Sequence, residues 1–186
     1  YINMNNQRRT GVDLSVNVGK KHGDFEWNVG LVGMYYTSKN TKWDENVKYD
    51  WLKAEGEAID ALRGYQCIGF FKDAADVESS AKVNANTKPG DLKYVDQNND
   101  GVINEQDQVV LGKWGASWVM GLNLTAKYKG FTLFVAGTGS FGGKGLKNNS
   151  YMHVYGDRKY SEVVRGRWTE ETADIATYPR LTTQGG

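Results

Sequence analysis

Gly11-Val12-Asp13-Leu14-Ser15-Val16-Asn17-Val18-Gly19 is the stretch on which the fold turns: Val12, Leu14, Val16 and Val18 alternate with Asp13, Ser15, Asn17 and Gly19. Successive side chains of an extended chain point to opposite faces, so a period of two predicts a strand with one apolar face. After Lys20-Lys21-His22-Gly23-Asp24 the pattern resumes, with Phe25, Trp27, Val29, Leu31, Gly33 and Tyr35 opposite Glu26, Asn28 and Gly30. That link is short enough for an antiparallel hairpin. A second pair repeats the theme: Trp118, Met120, Leu122, Leu124, Ala126 and Tyr128 alternate with Gly121, Asn123, Thr125 and Lys127, and a Lys129-Gly130 turn leads into Phe131, Leu133, Val135 and Gly137.

Two architectures share this pattern. A membrane barrel puts the apolar face against lipid, with aromatic residues at the interfaces. A soluble sandwich turns the same face into a core, and alternation alone does not choose between them. Loop lengths help: the hairpin turns are short, whereas about 80 residues separate Tyr36 from Trp118, far more than an ordinary connection needs. Short turns on one side and long loops on the other are the layout of an outer-membrane barrel. The expectation is an all-β fold, an antiparallel transmembrane β-barrel segment, with hairpins at about 11–36 and 117–139. It carries an extracellular excursion at about 37–116 and a further loop at about 140–186, with His22 and Lys129 on the periplasmic side.

Composition narrows the classes. Lys and Arg number 23 against 22 Asp and Glu, a formal charge of +1, and no run of like charge suggests a nucleic-acid arm. The 23 glycines, 11 tyrosines and 6 tryptophans, against 2 prolines, favour strands and polar loops over a helical bundle. Cys67 is the sole cysteine, which excludes an internal disulfide and a cysteine metal cluster and predicts a small buried apolar residue. No apolar run is long enough for a transmembrane helix, which leaves a transmembrane barrel open. The chain starts at Tyr1 inside polar sequence, without a signal peptide, and is read as part of a longer protein.

The excursion holds one compact motif. Asp96, Asn98 and Asp100 stand at positions 1, 3 and 5 of a twelve-residue calcium loop, Gly101 at the turn position 6 and Asp107 at position 12. Alternate residues of a curled loop point inward, so their oxygens converge on one cation, and Gly101 permits the sharp turn. Val102 would add its backbone carbonyl, Asn104 would act through a water, and Ile103 would pack away from the ion. Position 12 is Asp rather than the longer Glu, and the short extended piece Lys93-Tyr94-Val95 replaces a preceding helix. The same residues also suit an acidic turn closed by side-chain to backbone hydrogen bonds with no metal. The cofactor expectation is a structural Ca2+.

Elsewhere in the excursion, Asp50 to Arg63 mixes helical and extended signals, Gly64 to Phe71 reads as extended, Asp73 can cap a helical turn through Glu78, and Pro89-Gly90 marks a turn. Phe141 to Tyr160 reads as loop, and Ser161 is a candidate cap for a short helix to Trp168. Gly137-Thr138-Gly139-Ser140-Phe141-Gly142 spells a dinucleotide fingerprint, but Gly143, Lys144, Gly145, Asn148 and Asn149 leave no helix to receive a pyrophosphate. His22 in a turn and His153 among Tyr151, Met152 and Tyr155 make no zinc site or triad, and the adjacent carboxylates define no cleft. The chain is read as not an enzyme. Aromatic residues of the excursion are the better lead: Tyr65, Phe70, Phe71 and Trp114 are candidate contacts for a sugar or peptide, the alternative being rings that pack the loop on itself.

Several stretches, taken in chain order, resemble the C-terminal part of the SusC/RagA-type TonB-dependent outer-membrane transporters of the Bacteroidetes. They are Gly64-Tyr65 to Gly69-Phe70-Phe71, and Pro89-Gly90-Asp91-Leu92-Lys93-Tyr94 running through Asp96 to Asp107 into Val109-Val110-Leu111-Gly112. The Gly121-Leu122-Asn123 to Tyr128-Lys129-Gly130-Phe131 hairpin and Arg167-Trp168-Thr169 to Tyr178-Pro179-Arg180-Leu181 complete the set. The resemblance implies a barrel of about 22 strands with a plugged lumen in the bacterial outer membrane, in contact with lipid. It implies import of oligosaccharides or peptides, driven through the TonB complex, with a SusD-like surface lipoprotein over the extracellular face. The plug, the TonB-contacting segment, most strands and the closing strands are not among these 186 residues, so the resemblance is to a part that does not close a barrel alone. The rival reading is a secreted calcium-dependent carbohydrate-binding β-sandwich module. A glycosidase lacks a carboxylate pair of definable spacing.

Overall fold

Two antiparallel hairpins pair edge to edge through their inner strands. β1 (Asn6–His22) and β2 (Phe25–Lys42) form the first, β7 (Trp118–Tyr128) and β8 (Phe131–Phe141) the second, giving the order β1-β2-β7-β8. The structure, a computed structural model, describes residues 4–147, 151–154 and 160–182. Asn148, Asn149 and Tyr155, which entered the sequence reading, lie outside the described residues. The chain divides into two compact units, Tyr1–Leu62 with Gly112–Gly145 and Arg63–Leu111 with Leu146–Gly186. The four-stranded sheet belongs to the first.

Both turns of the sheet are two residues long. Gly23 has φ 58° and Asp24 is not in the positive region, the pattern of a type II′ turn; Lys129 and Gly130 have φ 43° and 87°, the pattern of type I′. These are the turns whose twist matches that of the flanking strands. The first link is therefore shorter than the five residues expected, because Lys20, Lys21 and His22 continue β1 without apolar alternation. At the other end the hairpin extends from 11–36 to 6–42: Gln7↔Asn40 through Thr10↔Thr37 stay paired although both faces there are polar. Among the described residues β1 pairs with β2 alone and β8 with β7 alone, so each presents an open edge.

The register assembles the apolar residues into rows. Val16↔Leu31↔Leu122↔Gly137 and Val18↔Val29↔Leu124↔Val135 cross the middle of one face. Aromatic rows bound them: Phe25↔Tyr128↔Phe131 beside the turns and Tyr35↔Trp118↔Phe141 at the far end, with the Tyr35 and Trp118 rings 4.4 Å apart. Ten residue steps separate the rows on each strand, about 34 Å along an extended chain. At the tilt of about 40–45° usual for barrel strands this becomes a band about 25 Å high, the height of an outer-membrane apolar belt.

That face is uncovered. Val12 is 70%, Leu14 63% and Phe131 81% exposed, where a sandwich would bury them against a second sheet. The opposite face carries the polar rows Asn17↔Gly30↔Asn123 and Lys21↔Glu26↔Lys127, interspersed with Val32, Met34, Val119 and Phe134. No described helix is long and apolar enough to cross a membrane, which says nothing of strands.

The second unit is built the ordinary way round. Every buried large apolar residue among those described, Phe71, Val77, Ile103, Val164 and Trp168, belongs to it. β4 (Cys67–Phe70) and β5 (Leu92–Tyr94) form a two-stranded ribbon, and β3 (Ala61–Tyr65) pairs with β6 (Gln108–Lys113) across the chain positions where the units meet in sequence. Helix α1 (Ala74–Ser79) is capped by Asp73, whose carboxylate accepts the Asp76 N–H at 2.8 Å. Lys88-Pro89-Gly90-Asp91 makes a type II turn, with Gly90 at φ 85° and the Asp91 N–H donating to the Lys88 carbonyl. Gly90 donates to the Phe71 carbonyl at 2.8 Å and accepts from the Arg180 N–H at 3.0 Å, and the Trp168 ring lies flush on its Cα.

Two local expectations are corrected. Cys67 is exposed, because the β4–β5 ribbon has no layer over that side; its thiol meets the Gly69 carbonyl at 3.5 Å. Ser161 precedes a 3-10 turn at Glu162–Gly166 but does not cap it, since its hydroxyl donates to the Tyr151 carbonyl.

A Cβ at Gly90 would overlap the Trp168 ring at a φ that side chains avoid. Gly90→Ala is expected to cost the second unit about 2–4 kcal/mol, read as faster limited proteolysis within 63–111. At Gly33 a Cβ meets nothing within 4 Å, so Gly33→Ala should change stability by no more than about 0.5 kcal/mol. Equal effects from the two would contradict this packing.

Candidate functional site

The Asp96–Asp107 loop lies wholly in the second unit. Asn99 (φ 58°) and Gly101 (φ 84°) curl it, so that Asp96 accepts the Gly101 N–H at 2.8 Å and the Asp100 N–H at 3.2 Å. Asn98 Oδ1 accepts the Asp100 N–H at 3.0 Å, Asn98 Nδ2 donates to Asp100 Oδ2 at 2.8 Å, and Asp100 Oδ1 accepts the Val102 N–H at 2.9 Å. The three side chains at positions 1, 3 and 5 are thus brought together within one turn. Val102 is half exposed and its carbonyl meets Asn104 Nδ2 at 3.5 Å.

Asp107 is used differently. It is fully buried, with Oδ1 accepting the Gln97 N–H at 2.9 Å and Oδ2 the Asn104 N–H at 2.8 Å. Asn104 Oδ1 accepts the Gln106 N–H in return, completing a capping box on the 3-10 turn Glu105–Asp107. Ile103 turns away into the core, as the loop reading expected, and its N–H donates to the Lys82 carbonyl at 3.0 Å. The donor set is oxygen only, which suits a hard cation. Among the described residues no three His, Cys, Asp or Glu side chains are disposed around a common metal position, because the carboxylates are turned onto backbone N–H groups.

The aromatic candidates are divided between the two units. Trp114, 49% exposed, belongs to the first unit, while Tyr65, Phe70 and Phe71 belong to the second. Phe71, at 2% exposure, is core, with Lys93 Nζ 5.6 Å from its ring, so a direct substrate contact is replaced by a supporting role. Tyr65 packs on Tyr94 at 5.5 Å, and burial pushes the Tyr94 phenol above its ordinary value. Tyr49 and Trp51 stack on each other at 4.6 Å, and Lys48 lies 4.8 Å over Tyr49.

The sequence reading missed the polar clamps. Arg180 grips Asp91 with Nε at 2.6 Å and Nη2 at 3.2 Å, a two-pronged pair between residues 89 apart in sequence. Both ends lie in stretches that carry the resemblance, the one signal that they meet. In the first unit, Asp60 accepts the Gly115 N–H at 2.5 Å and the Ser38 hydroxyl at 3.3 Å. Burial pushes that carboxyl up, but these bonds and nearby Lys113 bring it below its ordinary value.

No protein-family model matches the chain. Two relatives do, both from Formosa agariphila: TonB-dependent receptor P26, 30% identical over 64% of this chain, and TonB-dependent receptor P3, 29% identical over 48%. The chain spans 12% and 9% of their lengths. Among solved structures the RagAB peptide transporter matches 98% of the chain with a TM-score of 0.66 at 16% identity, over 21% of its own chain. The sequence relatives and the shared fold together support the resemblance to a SusC/RagA-type TonB-dependent transporter, and the fold is that of a segment of such a barrel. The relatives are receptors and transporters, in keeping with the reading that the chain is not an enzyme.

Lys93 Nζ lies 2.6 Å from Asp76 Oδ1, and this hydrogen bond is the main reason the Asp76 carboxyl sits below its ordinary value of 3.8. A lowered carboxyl contributes stability that is present above its unfolded value and lost as pH falls through the folded one. Pepsin cleavage within 63–111 should therefore rise steeply below about pH 4. Asp76→Asn should blunt that rise and cost about 1 kcal/mol at neutral pH; an unchanged acid profile in the variant would remove Asp76 from the account.

Proposed function

We propose that this chain forms part of the wall and extracellular loops of a bacterial outer-membrane TonB-dependent transporter. In the full-length protein it would import oligosaccharides or peptides together with a SusD-like surface lipoprotein, driven by the TonB complex. The observation that carries the membrane reading is the uncovered apolar belt, about 25 Å high between two aromatic rows. Lipid solvates such a face; water does not. The exposed ring of Trp114 in the first unit and the half-buried rings of Tyr65 and Phe70 in the second are proposed as contacts for substrate on the extracellular side, with Phe71 as packing within the second unit. Peptide transport is a property of the RagAB relative and is one of the two substrate classes proposed here. The β-sandwich module is the less favoured reading, because nothing described covers the face that it would bury.

Within this reading the Asp96–Asp107 loop is proposed to hold a structural Ca2+. Asp96, Asn98 and Asp100 would supply side-chain oxygens, Val102 its carbonyl, Asn104 a water-mediated contact and Asp107 the closing carboxylate. The cation would offset the repulsion among three carboxylates and stiffen the surface that the loop offers to a partner.

Two experiments test these proposals. In the full-length protein reconstituted in bilayers, Val16→Cys and Leu122→Cys should resist a water-soluble maleimide and be reached by a lipid-borne quencher when labelled. Asn17→Cys and Asn123→Cys should behave the other way, and equal aqueous labelling on both faces would sink the membrane reading. For the cation, calorimetry should show calcium uptake that Asp96→Ala or Asp100→Ala weakens by at least about tenfold, with strand content unchanged. Absence of calcium heat in the unaltered protein would remove the metal.

A further inference from the structure

On the polar face of the sheet, glycines let side chains of the neighbouring strands lean inward. Gly30 is buried although that face is open. A Cβ there would stand 2.5 Å from Asn17 Oδ1, 2.5 Å from Asn123 Oδ1 and 2.6 Å from Asn123 Nδ2, so two carboxamides meet over the glycine from the strands on either side. One row nearer the turns Asn28 leans the same way, its Nδ2 2.9 Å from the corresponding point at Gly19. Among the described residues none of these three carboxamides has a hydrogen-bond partner, so each keeps donors and an acceptor for another molecule. The rows Ser15↔Val32↔Gly121↔Thr138, Asn17↔Gly30↔Asn123↔Ala136 and Gly19↔Asn28↔Thr125↔Phe134 carry no ionisable side chain. Phe134, 65% exposed, stands directly opposite Thr125 and diagonal to Asn123, and such diagonal neighbours lie about 7–8 Å apart.

We propose that this patch binds an uncharged sugar unit of an oligosaccharide, Phe134 stacking on the C–H face of the sugar ring while Asn123, Asn17 and Asn28 hydrogen-bond its hydroxyls. The proposal rests on the transporter reading given above, in which the polar face lines the lumen, and it narrows the two substrate classes of that reading to one. A sugar ring has an apolar C–H face and a rim of hydroxyls that both donate and accept. A flat exposed ring beside carboxamides that both donate and accept, with no charge among them, is its complement. A peptide fits less well. Extended peptides draw affinity from an open strand edge, and β2 and β7 are paired on both sides, so the patch offers none. The nearest charged row is Lys21↔Glu26↔Lys127, where Glu26 lies 3.5 Å from Lys127 Nζ and is already engaged. Gly30 is as many residues from Phe25 as from Tyr35, which puts the site at mid-height of the belt, on its reverse face.

The test uses the full-length protein in lipid nanodiscs, applied to an array of neutral, uronic-acid and sulfated oligosaccharides and of peptides. The unaltered protein should be retained by neutral oligosaccharides, and raising salt should leave that retention unchanged because no charge is paired. Asn123→Ala and Phe134→Ala should each weaken it about fivefold. Gly30→Ala should do the same, since its methyl displaces both carboxamides without removing them, and the atoms it meets are the ends of side chains that can move aside. Gly33→Ala, on the apolar face, should change nothing. A protein that inserts but is retained only by charged glycans or by peptides, or by nothing, overturns this inference and leaves the membrane reading standing. So does retention by neutral oligosaccharides that survives Asn123→Ala, Phe134→Ala and Gly30→Ala alike. A protein that does not insert overturns the transporter reading and the inference with it.

Discussion

The structure depends on one constraint: an apolar sheet face with nothing packed on it needs a surrounding medium as apolar as itself. β1, β2, β7 and β8 place their valines, leucines and aromatic rings on one side, and no second layer among the described residues covers them. Burial of that area is the main favourable term available to the sheet. Whatever covers it must supply that term, and the equal spacing of the two aromatic rows along the strands is the feature on which the proposed lipid cover rests.

The second unit obeys the opposite rule and shows how a loop-rich segment holds its shape in water. Its centre is the flush contact of Trp168 with Gly90, flanked by the Asp91–Arg180 clamp and closed beneath by Phe71. Each part requires another. The turn that glycine permits presents Asp91 to Arg180, and the ring that glycine admits carries its backbone to Tyr178, two residues before the arginine. Distant motifs recur together in such a fold because they are two halves of one contact.

How much of this was legible follows from range. Val12 to Val18 and Trp118 to Tyr128 declared themselves because the signal is local and has a period of two. Asn6 to Thr10 and Thr37 to Lys42 did not, since strands polar on both faces leave no pattern. Cys67 was misjudged because the burial of a small residue depends on a covering layer that no local pattern reports. Asp91 and Arg180 could not be joined from sequence, and neither could the β2–β7 register. The cation loop was legible in residue type, but the aim of Asp107 onto Gln97 and Asn104 was not, because only the folded backbone sets which N–H groups it meets.

The open edges of β1 and β8 have a consequence for how such a sheet arises. β1 offers backbone donors and acceptors along 17 residues, and its partner satisfies one side. In hydrocarbon an unsatisfied amide costs several kcal/mol, so the cost along a whole edge would exceed the stability of an ordinary domain. Neither hairpin is then a stopping point on the way into a bilayer. Each is a co-operative unit of assembly that enters only as its neighbours do, and the two-residue turns speed the first step of that sequence by making each pairing local before the longer-range one closes.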